Sequence, residues 1–262
     1  RRMDLGIGGK QAFVCASSQG LGLACAAALA AEGVNVTLNG RYEQKLAQAA
    51  SALRQRFPQV AVTTVTADLT QSAGRAAILA AWPKIDILVT NNAGPQPGAL
   101  ADWHEEALLG AMAANFIPAV QLIRAWLPAM QQQRFGRIVN ITSAMVKAPH
   151  YMMGLSTSAR TALTAICKAI GREVVADNVT INNLLPERID TPRQAFMLQR
   201  LMDEEGISLQ EARRRNEATI AAGRFGRPEE FAAACAFLCS QQASYISGQN
   251  LQLDGGSYEG LL

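Results

Sequence analysis

The stretch Val14-Cys15-Ala16-Ser17-Ser18-Gln19-Gly20-Leu21-Gly22 decides the fold. An apolar run, Gln11 to Val14, enters it, and an alanine-rich run, Leu23 to Ala31, leaves it. That order predicts a strand, a tight glycine turn and a helix. A helix N-terminus points free backbone N–H groups, and the positive end of its macrodipole, at whatever lies in front of it, which makes an anion site. Glycines at 20 and 22 let a phosphate group and the neighbouring strand approach the backbone with no Cβ in the way.

Outward from the turn, apolar strands alternate with helices of ten or more residues. The predicted strands are Val34 to Leu38, Val60 to Thr66, Ile85 to Val89, Gly136 to Thr142, Val179 to Leu185 and Asn250 to Leu253. The predicted helices are Tyr42 to Phe57, a third one capped by Thr70 and running through Trp82, a long one from His104 to Gln132 interrupted near Pro118 and Pro128, Leu155 to Asp177, and Pro228 to Gln241. Residues 191–222 are charged and helical, with Gly206 between two pieces. Strands joined through helices need crossover connections, and so a parallel sheet covered on both faces. Without a linker, a low-complexity tract or an internal repeat, residues 1–262 read as one domain; Arg1 and Arg2, ahead of Met3, are set aside.

Of the 262 residues, 49% are apolar and 17% charged, which describes a globular chain with ample core. A net charge of +3, with no basic run interleaved with aromatics, argues against a nucleic-acid partner. No uninterrupted apolar run reaches the roughly 20 residues of a membrane span, and no signal peptide precedes the first strand. The five cysteines, Cys15, Cys25, Cys167, Cys235 and Cys239, are scattered through apolar segments. Their odd number and placement point to buried thiols in a reducing, cytoplasmic compartment, and no metal cluster is expected.

Five features recur at strand ends, where open α/β sheets bind ligands. They are the glycine turn, Asp68, Asn91-Asn92-Ala93-Gly94, Ser143, and Pro186 to Thr191. In this order they resemble the short-chain dehydrogenase/reductase family over roughly residues 5 to 256, with Cys15 and Ala16 in place of the first Thr and Gly of its T-G-x-x-x-G-x-G turn. The segments Gly223 to Glu230, Ile246 to Gln249 and Leu253 to Gly256 are most similar to the 3-oxoacyl-carrier-protein reductase branch. The resemblance implies a single-domain Rossmann-type doubly wound parallel sheet with helices on both faces, binding a nicotinamide dinucleotide. It places Ala16, Ser18, Gln19, Gly20 and Leu21 at the phosphates, Asp68 and Leu69 at the adenine, Asn92, Ala93 and Gly94 under the ribose, and Pro186, Ile189 and Thr191 at the carboxamide. Where the second strand ends, an acidic residue would take a ribose 2′-hydroxyl; Asn39-Gly40-Arg41 offers a fixed cation instead. Its planar fork suits a 2′-phosphate, so the expected cofactor is NADP(H), ahead of NAD(H).

The resemblance breaks at the chemistry. The family uses a Ser, a Tyr thirteen residues on and a Lys four after that; counted from Ser143, those positions hold Ser156 and Arg160, in a preserved Ser-x-x-x-Arg-x-Ala-Leu frame. Asn115 and Ser143 match the remaining catalytic positions. An aliphatic hydroxyl is a much weaker acid than a phenol and is shorter by a ring, so Ser156 is expected to fall short of the oxygen a Tyr would reach; Arg160 can still bind the coenzyme's ribose hydroxyls and supply positive charge, but it does not deprotonate. His150 and Tyr151, just before the helix, are candidate substitutes; His104 is read as a surface residue. Glu187 replaces the family's usual Gly after Pro186, and residues 191–222 are read as a lid over the substrate. Two functions remain: an NADP(H)-dependent reductase of a carbonyl substrate, 3-oxoacyl-type or another ketone, with a non-standard proton donor; or a dinucleotide-binding protein without turnover, acting as a sensor or assembly partner. By family analogy the helices from 104 to 132 and 155 to 177 pair between subunits, giving a homodimer or homotetramer.

Overall fold

The computed structural model describes residues 4–261, so Arg1, Arg2, Met3 and Leu262 lie outside it. Seven strands form the sheet: β1 (Gln11–Val14), β2 (Asn35–Gly40), β3 (Val62–Thr66), β4 (Ile87–Thr90), β5 (Gly136–Ile141), β6 (Val179–Pro186) and β7 (Asn250–Leu253). They are all parallel, in the order β3-β2-β1-β4-β5-β6-β7. The order reverses direction between β1 and β4, and that switch point opens a crevice at the strand ends.

Among the described residues there are nine α-helices: α1 (Gly20–Ala31), α2 (Glu43–Arg56), α3 (Ser72–Ala81), α4 (Glu105–Asn115), α5 (Ile117–Gln132), α6 (Gly154–Val174), α7 (Pro192–Glu205), α8 (Leu209–Ala218) and α9 (Pro228–Leu238). Alternation along β1 divides the core between the two faces. Ala12 and Val14 join the cluster built with α1, α2 and α9, while Phe13 and Cys15 join the one built with α5 and α6. On the second face Phe13 packs against Trp126, ring centroids 5.3 Å apart. The segment carrying α7 and α8 has a small core of its own, Leu198, Ala212, Ile220 and Phe225.

Three sequence expectations need correction. Thr70 does not cap α3. Its hydroxyl donates to Asp68 Oδ1 (2.8 Å), and the N-cap position falls to Gln71, whose side chain makes no capping bond. The long helix breaks at Phe116, next to Pro118, the second residue of α5, as expected; it does not break at Pro128, which sits exposed inside α5 without ending it. The expectation of no membrane-length apolar segment also fails by composition, because Glu105–Gln132 has a mean hydropathy of 1.4 over an 18-residue window. Reading for unbroken runs overlooks such a window, whose average absorbs isolated polar residues such as Gln121 and Arg124. Its inner face, with Leu122, Ile123, Trp126 and Met130, packs on the sheet, as a core helix does.

Candidate active site

The β1–α1 turn is held from three sides. Asn39 Oδ1 accepts from Ala16 N (3.2 Å), and Asn91 Nδ2 donates to Ala16 O (3.2 Å). Ser17 Oγ donates to Val14 O (2.7 Å) and accepts from Asn39 N (3.0 Å). These bonds keep Ala16 at φ +45°, a left-handed conformation that costs a non-glycine residue about 1–2 kcal/mol. A Cβ on Gly22 would stand 2.5 Å from Ala16 O, so only glycine lets α1 start this close to the turn. Gln19, the N-cap of α1, makes no side-chain capping bond and the first turn carries no acidic residue, which leaves the helix N-terminus open to the crevice for an anion.

The crevice is a cleft of about 690 Å³. Every residue expected to contact the cofactor lines it: Ala16, Ser18, Gln19, Gly20, Leu21, Arg41, Asp68, Leu69, Asn92, Ala93, Gly94, Arg160, Pro186, Ile189 and Thr191. Arg41 is exposed at one end, its guanidinium 5.6 Å from the centroid of Tyr42; Lys45 approaches the same ring at 5.7 Å. Neither forms an ion pair among the described residues.

Asn115 stands behind the wall rather than in it. Its Nδ2 donates to Ala93 O (3.2 Å), and its buried Oδ1 has no hydrogen-bond partner among the described residues. The neighbouring Asn92 shows why α4 ends here. Pro118 has no N–H to offer Ala114 O one turn back, and Asn92 Nδ2 takes that carbonyl instead (2.9 Å). The helix break and the Asn91–Gly94 segment thus fix each other.

At the other end of the cleft, Ser143 and Ser156 present their hydroxyls. Ser143 Oγ accepts from Met145 N (3.2 Å), and Ser156 Oγ accepts from Arg160 Nε (3.1 Å). Each hydroxyl therefore keeps its proton to donate. Ser156 and Arg160 lie one turn apart on α6, as the spacing predicts, and both are buried. Arg160 Nη1 donates to Ile141 O (2.9 Å), tying the guanidinium to the end of β5. Burial, and then the charge of Arg193, lower the Arg160 pKa to about 10. His150 lines the mouth and is exposed. Tyr151, the other candidate proton donor, is turned away: its hydroxyl accepts from Leu100 N (3.0 Å) and its ring stacks on Trp103 (5.6 Å). His104 is exposed and caps α4, its Nδ1 accepting from Ala107 N (3.3 Å).

A family model described as enoyl-(acyl carrier protein) reductase matches residues 15–258. Dehydrogenase/reductase SDR family member 4 of Oryctolagus cuniculus is 32% identical over 251 residues, spanning 95% of this chain and 93% of that protein. The chain belongs to the short-chain dehydrogenase/reductase family. NADPH-dependent reductase BacG of Bacillus subtilis is 29% identical over 256 residues, 96% of this chain and 99% of that protein. Among solved structures, L-sorbose reductase from Gluconobacter frateurii, complexed with NADPH and L-sorbose, superposes with a TM-score of 0.93 at 30% identity, covering 99% of this chain and all of that one.

Sequence reading missed the charged and sulfur-bearing groups brought to the cleft by α7 and the β5–α6 connection. Arg193 reaches over the cleft and donates from Nη2 to Pro95 O (3.1 Å). Met145, Met152, Met153 and Met197 add an apolar, sulfur-bearing surface to the cleft lining. Glu187, flagged as a departure, pairs with Arg188 (3.7 Å), and Arg188 in turn bonds Asn216 O (2.9 Å) and Thr219 on and after α8. The one signal for Arg193 in the sequence is its place two residues after Thr191.

Proposed function

We propose that this chain is an NADP(H)-dependent reductase of a small-molecule carbonyl compound. The observation that carries the reading is the pair of hydroxyls, Ser143 and Ser156, each held by a protein donor and each left with a proton to give, at one end of a cleft whose other end is an open helix N-terminus. The cleft fits a dinucleotide: amides of the Ser18–Leu21 turn for the phosphates, Arg41 for a 2′-phosphate, Asp68 and Leu69 for the adenine, Asn92 to Gly94 for the ribose, Ile189 and Thr191 for the carboxamide. When bound, NADPH supplies the hydride.

For Ser143 and Ser156 to hold the carbonyl oxygen by two hydrogen bonds, that oxygen sits a ring's length nearer α6 than the family's Tyr would require. Arg160, bonded to the Ser156 oxygen, polarises that hydroxyl and stabilises negative charge as it develops; donors of this kind are worth about 10²- to 10³-fold each. No phenol takes the place of the family's Tyr, and Arg160 relays no proton. Water at the open mouth beside His150 supplies the proton. Loss of a positioned general acid costs about 10²- to 10⁴-fold, so turnover is slow rather than absent.

The segment 191–222 acts as the lid. It contributes Thr191, Arg193, Met197 and Asn216 to the cleft and is braced by Arg188 and by the Arg213–Asp190 pair (2.8 Å). The chain works as a homodimer or homotetramer, supported by the exposed apolar side chains Leu108, Leu109 and Ile117 on α4 and α5; light scattering of the purified protein tests this.

The deciding experiment is NADPH oxidation against a panel of ketones and 3-oxoacyl thioesters, with NADPH binding measured beside it. Consumption that falls by about 10²-fold in Ser143→Ala supports the reductase. Binding without consumption on every substrate favours the sensor or assembly reading.

A further inference from the structure

Two guanidinium groups flank one short segment of the cleft wall, and among the described residues neither forms an ion pair. Arg160 is 9% exposed. Its Nε and Nη1 are used by Ser156 and Ile141 O, and its Nη2 lies 3.6 Å from where a Cβ of Gly94 would stand. Arg193, exposed on α7, bonds Pro95 O (3.1 Å) and lies over the Phe196 ring (5.4 Å to the centroid). Both therefore converge on Gly94–Pro95, and both line the cleft.

The surrounding charges make this placement selective. On the lid, Arg200, Arg213, Arg214 and Arg215 each pair with a carboxylate. Arg193 is the one lid arginine that forms no ion pair among the described residues, and it is the one that faces the cleft. The carboxylates lining the cleft are engaged elsewhere, Glu187 with Arg188 and Asp68 in its own turn with Thr70. A cation buried to this extent beside a like charge is costly unless an anion joins it. Burial and the Arg193 charge already hold Arg160 down to about 10. An anion bound between the two relieves both effects.

We propose that Arg160 and Arg193 form a carboxylate-binding subsite, and that the carbonyl substrate is an oxo acid. This deepens the reductase reading and rests on it for the carbonyl. Arg160 touches the serine that holds the carbonyl oxygen, so the carboxylate sits close to the carbonyl in the substrate: a 2-oxo or 3-oxo acid. The methionine surface accommodates an apolar tail, since thioether side chains adapt to varied shapes. The coenzyme's own anions have their partners at the other end, on the α1 N-terminus and Arg41.

The test uses 2-oxo-4-phenylbutanoate and 3-oxo-5-phenylpentanoate, each beside its uncharged methyl ester. Calorimetry measures their binding to the full chain, free and saturated with NADP⁺, in wild type, Arg193→Gln and Arg193→Lys; NADPH oxidation is followed in parallel. At least one acid is expected to bind about 10- to 100-fold tighter than its ester, the range of one or two charge-assisted hydrogen bonds. Arg193→Gln should abolish that preference, and Arg193→Lys should keep part of it. NADP⁺ affinity should stay within about twofold, since Arg193 is not needed to hold the coenzyme. Two results overturn the subsite: acids binding no tighter than esters at either spacing, or Arg193→Gln weakening NADP⁺ as much as it weakens the acid, which would assign the arginines to coenzyme phosphate. An acid preference without any NADPH oxidation would instead sink the reductase reading and leave the subsite standing.

Discussion

Replacing Arg41 with alanine should separate the two nicotinamide coenzymes. The guanidinium lies at the cleft end, exposed and without an ion pair among the described residues, beside the Tyr42 ring and with Lys45 over the same ring. A hydrogen bond to a charged group contributes about 1.5–3 kcal/mol. Exposure and salt screening place Arg41 at the lower end of that range. At about 1.4 kcal/mol per tenfold, Arg41→Ala should weaken NADPH by roughly 10- to 30-fold and leave NADH within about twofold. Lys45→Ala should cost less, because an ammonium lacks the bidentate fork. The double variant should approach the product of the two losses if the cations act independently. Fluorescence titration of both coenzymes, at low and physiological ionic strength, measures this; the NADPH preference should shrink as salt rises. Equal losses for both coenzymes, or NADH binding tighter than NADPH in wild type, would refute the assignment.

The double variant Ser156→Tyr, Arg160→Lys restores a phenol whose pKa a neighbouring cation can lower. Its kcat on a carbonyl substrate should rise by about tenfold or more, a fraction of what a general acid supplies, and a fall would count against the proton-donor account. Ala16→Gly removes the left-handed strain at φ +45° but adds unfolded-chain entropy, so unfolding should shift upward by only about 1–2 °C in calorimetry, and a lower midpoint would contradict the strain. Hydrogen bonds from Arg214 and then Arg215 hold Glu211 at about 2, and those from Arg224 and then the Arg227 amide hold Glu230 at about 2. Both folded-state values lie below the ordinary carboxylate value. The unfolded chain therefore binds more protons in that window, and stability present above about pH 4.5 is lost as pH falls toward 2. Both side chains remain about a third exposed (31% and 34%), so the effect is small and salt-sensitive; Glu211→Gln should flatten the midpoint-versus-pH curve in that window.

Local patterns carry information about backbone. The strand–glycine–helix stretch at 11–31, the apolar runs and the fixed order of strand-end motifs were enough to specify a parallel sheet and the lining of its crevice. Strand periodicity and turn chemistry depend on neighbours in sequence, and the C-terminal ends of parallel strands must share one edge. The substitution of Ser156 and Arg160 was likewise visible as spacing on one helix face. What residues far apart in the chain do to one another was not visible. The end of α4 depended on Asn92, more than twenty residues upstream, taking the carbonyl that Pro118 leaves free. Tyr151 was withdrawn from the site by Leu100 and Trp103. Arg193 met Arg160 only because the segment after β6 folds back over Gly94–Pro95. Sequence thus determined the sheet and the turn that faces the anion. The tertiary structure decided which charges meet across the cleft, because electrostatic and hydrogen-bonding partners are chosen by distance in space.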